Sequence, residues 1–131
     1  MDVESGDEVH RGYALAEKVR AVLESIVFAL QDNLVLMRQA QPGITQISIS
    51  GGVAQWAGFC QMLANLTGLM VQRSEDIEAS ARGASLYLRQ CLHLAMPAQS
   101  ASAATSLSVF VAQTDDGLQA RYAQHRNTRV L

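Results

Sequence analysis

The stretch SISGGVAQWAGF, residues 48–59, joins a strand-like pattern to a helix-like one through a pair of glycines. Small polar and apolar residues alternate over residues 46–50, which predicts a short β-strand. Gly51 and Gly52 follow at once, and the apolar spacing beyond them predicts a helix from about Gln55. The stretch therefore predicts an α/β unit whose strand ends at the glycine pair.

The glycine pair has two interpretations. Without Cβ atoms, Gly51 and Gly52 let the backbone adopt positive φ and let a ligand approach closely, and the start of the next helix offers N–H groups to a phosphate. The spacing is not GxGxxG, because the next glycine is Gly58, and no Gly-Lys-Ser/Thr follows as in a Walker A loop. A phosphate-binding turn and a tight turn without a ligand both fit these residues.

Apolar periodicity and turn residues predict the elements on either side of this stretch. They are a long helix over about 12–40, a strand over 69–72, a helix from the acidic cluster at 74–78 to about Leu94, a short extended piece over 109–111, and a last helix opened by Asp115 and Asp116. The long helix has its predicted apolar stripe at Leu15, Val19, Val22, Ile26, Leu30, Leu34 and Met37. The helix after the glycines has one at Trp56, Phe59, Leu63 and Leu66, and Gly68 is its predicted stop.

Strands that alternate with helices favour a parallel sheet, but two short strands are few for one. The first strand, with Ile47 and Ile49, is expected to leave a sheet edge open to pairing. Residues 1–11 are predicted to be a flexible polar lead-in, and the Ala/Ser-rich residues from about 96 to 108 a linker.

Composition excludes several classes of function. The chain has 131 residues, a formal net charge of -2 and 49% hydrophobic residues, which is typical of one globular domain. No basic cluster suggests nucleic acid as a partner, and no apolar run has membrane-spanning length. His10, His93 and His125 have no metal-ligand spacing, so no metal site is predicted. Cys60 and Cys91, without CxxC spacing, are interpreted as free thiols of a cytoplasmic protein.

A set of short motifs resembles the C-terminal part of the FGGY carbohydrate kinases, the family of glycerol kinase and xylulokinase. They are Arg-Ala-x-Leu-Glu at 20–24 followed by Phe28 and Asp32, the glycine pair, Gln61, Leu63-Ala64, Gly68, Val-x-Arg at 71–73, Glu78, and Gly-Ala-Ser at 83–85. Phe110 and Tyr122 resemble the closing segment and helix of the family. The resemblance covers roughly residues 13–129. On this basis residues 12–131 are identified as a C-terminal lobe of the family.

The resemblance implies a partial actin-like ATPase fold, of the ribonuclease H-like kind, in the order helix, strand, helix, strand, helix plus a C-terminal helix. It implies a nucleotide site for ATP at Gly51 and Gly52, with position 56 nearby, and Mg²⁺ in the intact enzyme. Trp56 occurs where members carry a small polar residue, and it has two interpretations: stacking on adenine or packing against a neighbouring helix.

The resemblance also implies that the catalytic base and the sugar site belong to an N-terminal domain. No catalytic residue is therefore assigned in this chain, and activity alone is not expected, because phosphoryl transfer needs base, metal and substrate held together. Asp32 and Glu78 are interpreted as a helix-face and a helix-start carboxylate. The competing hypothesis is a non-catalytic module derived from this fold that forms a homodimer through the sheet edge at Ile47 and Ile49.

Overall fold

The protein is a mixed α/β chain, described here by a computed structural model over residues 5–74, 77–95 and 107–129. The elements are α1 Ser5–Ala40, β1 Gln46–Ile49, a 3₁₀ turn Val53–Gln55, α2 Ala57–Thr67, β2 Met70–Ser74, α3 Ala79–Cys91, β3 Leu107–Phe110 and α4 Asp116–Thr128. The chain divides into two compact units, Met1–Gly43 with Asp115–Leu131, and Ile44–Thr114. The predicted α/β class and order of helices and strands are confirmed, and the short extended piece after the linker is a third strand.

The first unit pairs the first helix with the last. Asp115 caps α4, because its carboxylate accepts a hydrogen bond from the Leu118 amide at 3.0 Å. Leu118 and Tyr122 are buried on α4. The ring of Phe28 lies 5.5 Å from that of Tyr122 and 5.2 Å from that of His125. Two sequence-distant helices therefore share one aromatic core.

The face that α1 buries differs from the predicted one. Of the predicted stripe only Leu34 is buried, whereas Leu15 and Val22 are 63% and 59% exposed. The buried residues Val27 and Phe28 lie beside the stripe, because α1 turns toward α4 the side that carries Phe28. The helix also begins at Ser5 instead of Gly12; residues 5–11 have no apolar periodicity, so the pattern placed them in the lead-in.

The second unit is built on a three-stranded sheet in the order β1-β2-β3. β1 and β2 are parallel, as predicted, with Ile47 opposite Val71, and β3 runs antiparallel to β2 with Phe110 opposite Val71. Side chains at paired positions share a face, so this register places Ile47, Val71 and Phe110 together. Val71 is fully buried. The sheet has β1 at one edge, as the sequence predicted.

Helix α2 supplies most of the core of this unit. Its buried residues are Phe59, Cys60, Leu63, Ala64, Leu66 and Thr67. Gly68 ends the helix in the left-handed conformation at φ 70°, with its amide bonded to the Ala64 carbonyl, which confirms the predicted stop. The side-chain Nε2 of Gln61 donates to the Val111 carbonyl at 2.8 Å, so α2 also holds the segment that follows β3.

Helix α3 is shorter than predicted and has no buried residue. It ends at Cys91 instead of near Leu94, because His93 adopts a left-handed φ of 51° and the Leu94 amide bonds back to the Arg89 carbonyl. This is a Schellman-type closure that needs neither glycine nor the downstream proline. Residues 96–106 of the predicted linker lie outside the described residues, and its last two residues belong to β3.

Candidate functional site

The two glycines after β1 have different backbone conformations. Gly51 has φ 94°, in the region that residues with a Cβ rarely adopt. Gly52 has φ -60° and ψ -47°, which any residue can adopt. The turn closes when the Gln55 amide bonds to the Gly52 carbonyl at 3.1 Å. The conformation of the chain therefore explains the glycine at 51 but not the glycine at 52.

Packing does not explain Gly52 either. A Cβ built on Gly52 meets no heavy atom within 4 Å among the described residues, and the residue is exposed. The same holds for a Cβ on Gly51. The backbone of the glycine pair thus faces open space, which a ligand or another part of a larger protein can occupy.

Trp56 connects this turn to α2. Its backbone is extended, with φ -82° and ψ 106°, and its carbonyl accepts the amides of Phe59 and Cys60 at 3.1 and 3.2 Å. No side chain caps this helix start, and its first turn holds no acidic residue. The predicted position of Trp56 on the apolar face of α2 is wrong, since the residue precedes the helix and is 56% exposed. Its indole is available to a ligand or a partner surface.

Two side chains hold the 3₁₀ turn, Cys60 from α2 and Arg73 from β2. The Cys60 thiol donates to the Ala54 carbonyl at 3.2 Å, and burial raises the pKa of this thiol while the charge of Arg73 lowers it by a smaller amount. Arg73 Nη1 donates to the Gln55 carbonyl at 3.2 Å. An arginine at the end of a strand is ordinarily solvated, whereas Arg73 is half-buried beneath the turn. The pairing of β2 with β3, which helps to hold it, left no local signal in the sequence.

The carboxylates considered as bases have other contacts. Asp32 accepts hydrogen bonds from the Tyr122 hydroxyl at 2.7 Å and from Arg129 at 3.0 Å, both within the first unit. Glu78 precedes the first residue of α3. Both interpretations, as helix-face and helix-start carboxylates, fit this geometry. Glu24, which the sequence showed only as the last residue of the Arg-Ala-x-Leu-Glu motif, is buried and bonded to Arg121.

Among the residues that the structure describes, no three His, Cys, Asp or Glu side chains lie close enough together to hold a metal ion. No described helix combines the length and apolarity needed to cross a bilayer. Among the residues described, the glycine turn combines the glycine motif with an exposed backbone at Gly52, and it is the candidate site.

Curated relatives with similar sequences are glycerol kinases. That of Natranaerobius thermophilus is 35% identical over 71 residues, which is 53% of this chain and 14% of the relative. That of Trichodesmium erythraeum is 35% identical over 68 residues, 51% of this chain and 14% of the relative. That of Ralstonia nicotianae is 38% identical over 76 residues, 57% of this chain and 15% of the relative. The aligned part is thus a small fraction of each kinase.

A family-level comparison covers more of the chain. The sequence model of the C-terminal domain of the FGGY family of carbohydrate kinases matches residues 3–88. This range contains α1, β1, the glycine turn, α2, β2 and most of α3. The family resemblance read from the motifs is confirmed. The chain belongs to the FGGY family of carbohydrate kinases and carries sequence of their C-terminal domain.

Proposed function

We propose that this chain is the C-terminal, ATP-binding part of a glycerol kinase-like enzyme that transfers the γ-phosphate of ATP to a hydroxyl of a sugar or polyol. In this proposal residues 12–131 form one lobe of an actin-like fold, and ATP binds at the glycine turn. The observation that carries the proposal is the place of Gly52, an exposed glycine with an open Cβ position that lies between the end of β1 and the uncapped start of α2.

A bound nucleotide would explain why position 52 is a glycine. Without a Cβ, the backbone lets a nucleotide approach to van der Waals distance of the peptide. Gly51 supplies the positive φ that turns the chain out of β1 at this point. The turn therefore presents main chain without side chains at two successive positions, which suits the sugar and α-phosphate of a nucleotide.

The start of α2 favours a bound phosphate for an electrostatic reason. Its cap residue has no side-chain hydrogen bond, and its first turn lacks an acidic residue. The first N–H groups of a helix carry partial positive charge and bind anions when no side chain satisfies them. A phosphate placed beside the glycine turn would meet these groups, with the exposed indole of Trp56 next to it as a stacking surface for adenine.

The chemistry requires more than this chain. In the proposed enzyme, Mg²⁺ enters with the phosphates of ATP, and an N-terminal sugar-binding domain supplies the base and closes over the nucleotide. The exposed stripe of α1, with Leu15, Val22 and Met37 each more than half exposed, is surface that the rest of such an enzyme would cover. The isolated chain is expected to bind nucleotide weakly and to have no kinase activity.

The test uses Trp56 as a reporter, because it is the single tryptophan. The purified chain is titrated with Mg·ATP and Mg·ADP while its fluorescence is followed. A saturable change that disappears in Gly52→Val and persists in Gly43→Val supports the site. Gly43 is a matched control, since its Cβ position is also open and it does not adopt positive φ. No change up to millimolar nucleotide, or detectable phosphorylation of glycerol by the chain, contradicts the proposal.

A second candidate function rests on the edge position of β1 in the sheet. In this alternative the chain is a non-catalytic module that dimerises by pairing β1, with Ile47 and Ile49, against a second copy. A charged side chain on an edge strand opposes such pairing. Ser48, which is exposed, is the place to add it, and Ser48→Lys is expected to convert a dimer to a monomer in sedimentation experiments. A chain that is monomeric at high concentration excludes this function.

A further inference from the structure

One side chain links the glycine turn to the C-terminal strand. Arg73 lies on β2, with Ile49 of β1 opposite it on one side and Ser108 of β3 on the other. Its Nη1 donates to the Gln55 carbonyl at 3.2 Å, and its Nη2 donates to the Ser108 hydroxyl at 3.1 Å. The two terminal nitrogens of one guanidinium thus bond to the turn and to β3 at the same time.

An aromatic contact fixes the same guanidinium on the β3 side. The Cζ atom of Arg73 is 5.4 Å from the centre of the Phe110 ring, within the range of a cation–π interaction. Phe110 and Ser108 are two residues apart on β3 and so lie on one face. The position of Arg73 is therefore set by two side chains of β3.

Arg73 contacts Gln55, the residue whose hydrogen bonds close the glycine turn. Gln55 is the last residue of the 3₁₀ turn, and its amide bonds to the Gly52 carbonyl at 3.1 Å. Its side-chain nitrogen lies 3.5 Å from the Gly51 carbonyl. The hydrogen bond from Arg73 to the Gln55 carbonyl thus restrains the residue that contacts the carbonyls of both Gly51 and Gly52. The same bond restrains the backbone that leads to Trp56.

Only arginine suits this arrangement. The guanidinium is planar and presents donors in fixed, divergent directions, whereas the lysine ammonium is a single point on a flexible stem. A lysine at position 73 would reach the Gln55 carbonyl or the Ser108 hydroxyl but would not hold both in this geometry.

We infer that Arg73 is a positioning residue that makes the shape of the glycine turn depend on β3, and that β3 thereby sets the nucleotide affinity of the turn. The first part stands on the contacts alone; the second rests on the function proposed above. Because β3 lies beyond the residues 3–88 that match the family model, the affinity of the site depends on sequence outside the match.

The first experiment measures the turn without nucleotide. Amide hydrogen exchange is followed at residues 51–56 in the wild-type chain, in Arg73→Lys and in Ser108→Ala, with Arg38→Lys and Ser80→Ala as controls outside the cluster. Because a lysine cannot hold the Gln55 carbonyl and the Ser108 hydroxyl together, exchange at Gln55 and Trp56 is expected to speed about tenfold in Arg73→Lys, less in Ser108→Ala, and not in the controls. Amides of α2 report global unfolding and should not change. If the turn amides exchange at the wild-type rate in both variants, the inference is overturned.

The second experiment measures affinity for Mg·ADP by Trp56 fluorescence. A weakening of about tenfold in Arg73→Lys, with thermal stability within a few degrees of wild type, is expected. If Arg73→Lys fails to fold, Ser108→Ala, which keeps the arginine, carries both measurements. If the wild-type chain binds no ADP while the turn loosens in the variants, the positioning role stands and the nucleotide proposal fails. If the turn loosens and affinity is unchanged, the control of affinity by β3 is refuted.

Discussion

Arg121 binds the carboxylate of Glu24 through two hydrogen bonds, from Nε to Oε2 and from Nη2 to Oε1, each 2.8 Å long. Arg20, one turn before Glu24 on α1, donates a third at 2.9 Å. The Glu24 side chain is 8% exposed, and that of Arg121 is 41% exposed. A buried carboxylate on the first helix is therefore satisfied by an arginine 97 positions later in the chain.

Removal of the arginine is expected to destabilise the first unit. In Arg121→Met, Arg20 is the partner that Glu24 keeps among the described residues. The free energy of unfolding is expected to fall by about 2 kcal/mol, less than for a fully buried pair because Arg121 is partly solvated. Urea unfolding followed by circular dichroism measures this. Arg126→Met, an exposed arginine of the same helix, is the control and is expected to change little. Equal stability of the two variants would show that the pair contributes nothing.

The pair of Glu24 and Arg121 also predicts that the free energy of unfolding falls at acidic pH. Burial alone raises the pKa of Glu24, but the hydrogen bonds from Arg121 and Arg20 outweigh burial and leave this pKa below its ordinary value of 4.5. A carboxyl whose pKa is lowered by folding stabilises the native state fully above the ordinary value, and this contribution is lost as pH falls through the lowered one. Unfolding free energies of the wild type and Glu24→Gln should therefore converge below pH 4.5. A constant difference at every pH contradicts the assignment.

Tyr122 predicts a loss of stability at alkaline pH, because folding raises its pKa whereas folding lowers that of Glu24. Burial, and then the hydrogen bond to and charge of Asp32, raise the pKa of this phenol from 10 to about 12. A raised folded-state pKa means that the stabilisation is complete below 10 and is lost as pH rises through about 12. The difference in tyrosinate absorbance between the wild type and Tyr122→Phe should titrate near 12. Titration of this difference near 10 would mean that Tyr122 is not held as described.

The two glycines of the turn should respond differently to alanine. Gly51→Ala forces a Cβ into φ 94° and is expected to cost about 1–2 kcal/mol of stability. Gly52→Ala has a permitted backbone and an open Cβ position, so its stability should stay equal or rise by up to about 1 kcal/mol. Thermal unfolding of the two variants decides this. If Gly52→Ala is the more destabilised variant, an internal contact, and not a ligand, explains that glycine.

Local patterns in the sequence predicted the second unit well. The alternation into the glycine pair placed β1, and Gly68 placed the end of α2, because both signals depend on neighbouring residues. The extent of α3 was missed, since it ends on a left-handed His93, a residue without the glycine signal.

Long-range pairing is what the sequence did not reveal. The apolar stripe of α1 was periodic, yet the side that α4 covers includes the charged Glu24, whose partner Arg121 no local window contains. At the candidate site the same limit applies. The glycine pair was visible, whereas the role of Arg73 depends on the antiparallel pairing of β2 with β3, a strand that begins at Leu107.

The shared core of α1 and α4 has a consequence for where the chain can be cut. The family match ends at residue 88, but Phe28 packs on Tyr122, and Glu24 depends on Arg121. A piece trimmed to the matched region would leave an aromatic ring and a carboxylate on α1 without these neighbours. The segment that identifies ancestry is shorter than the segment that must be synthesised before α1 has its partner, because α1 gains these contacts only after α4 has been made.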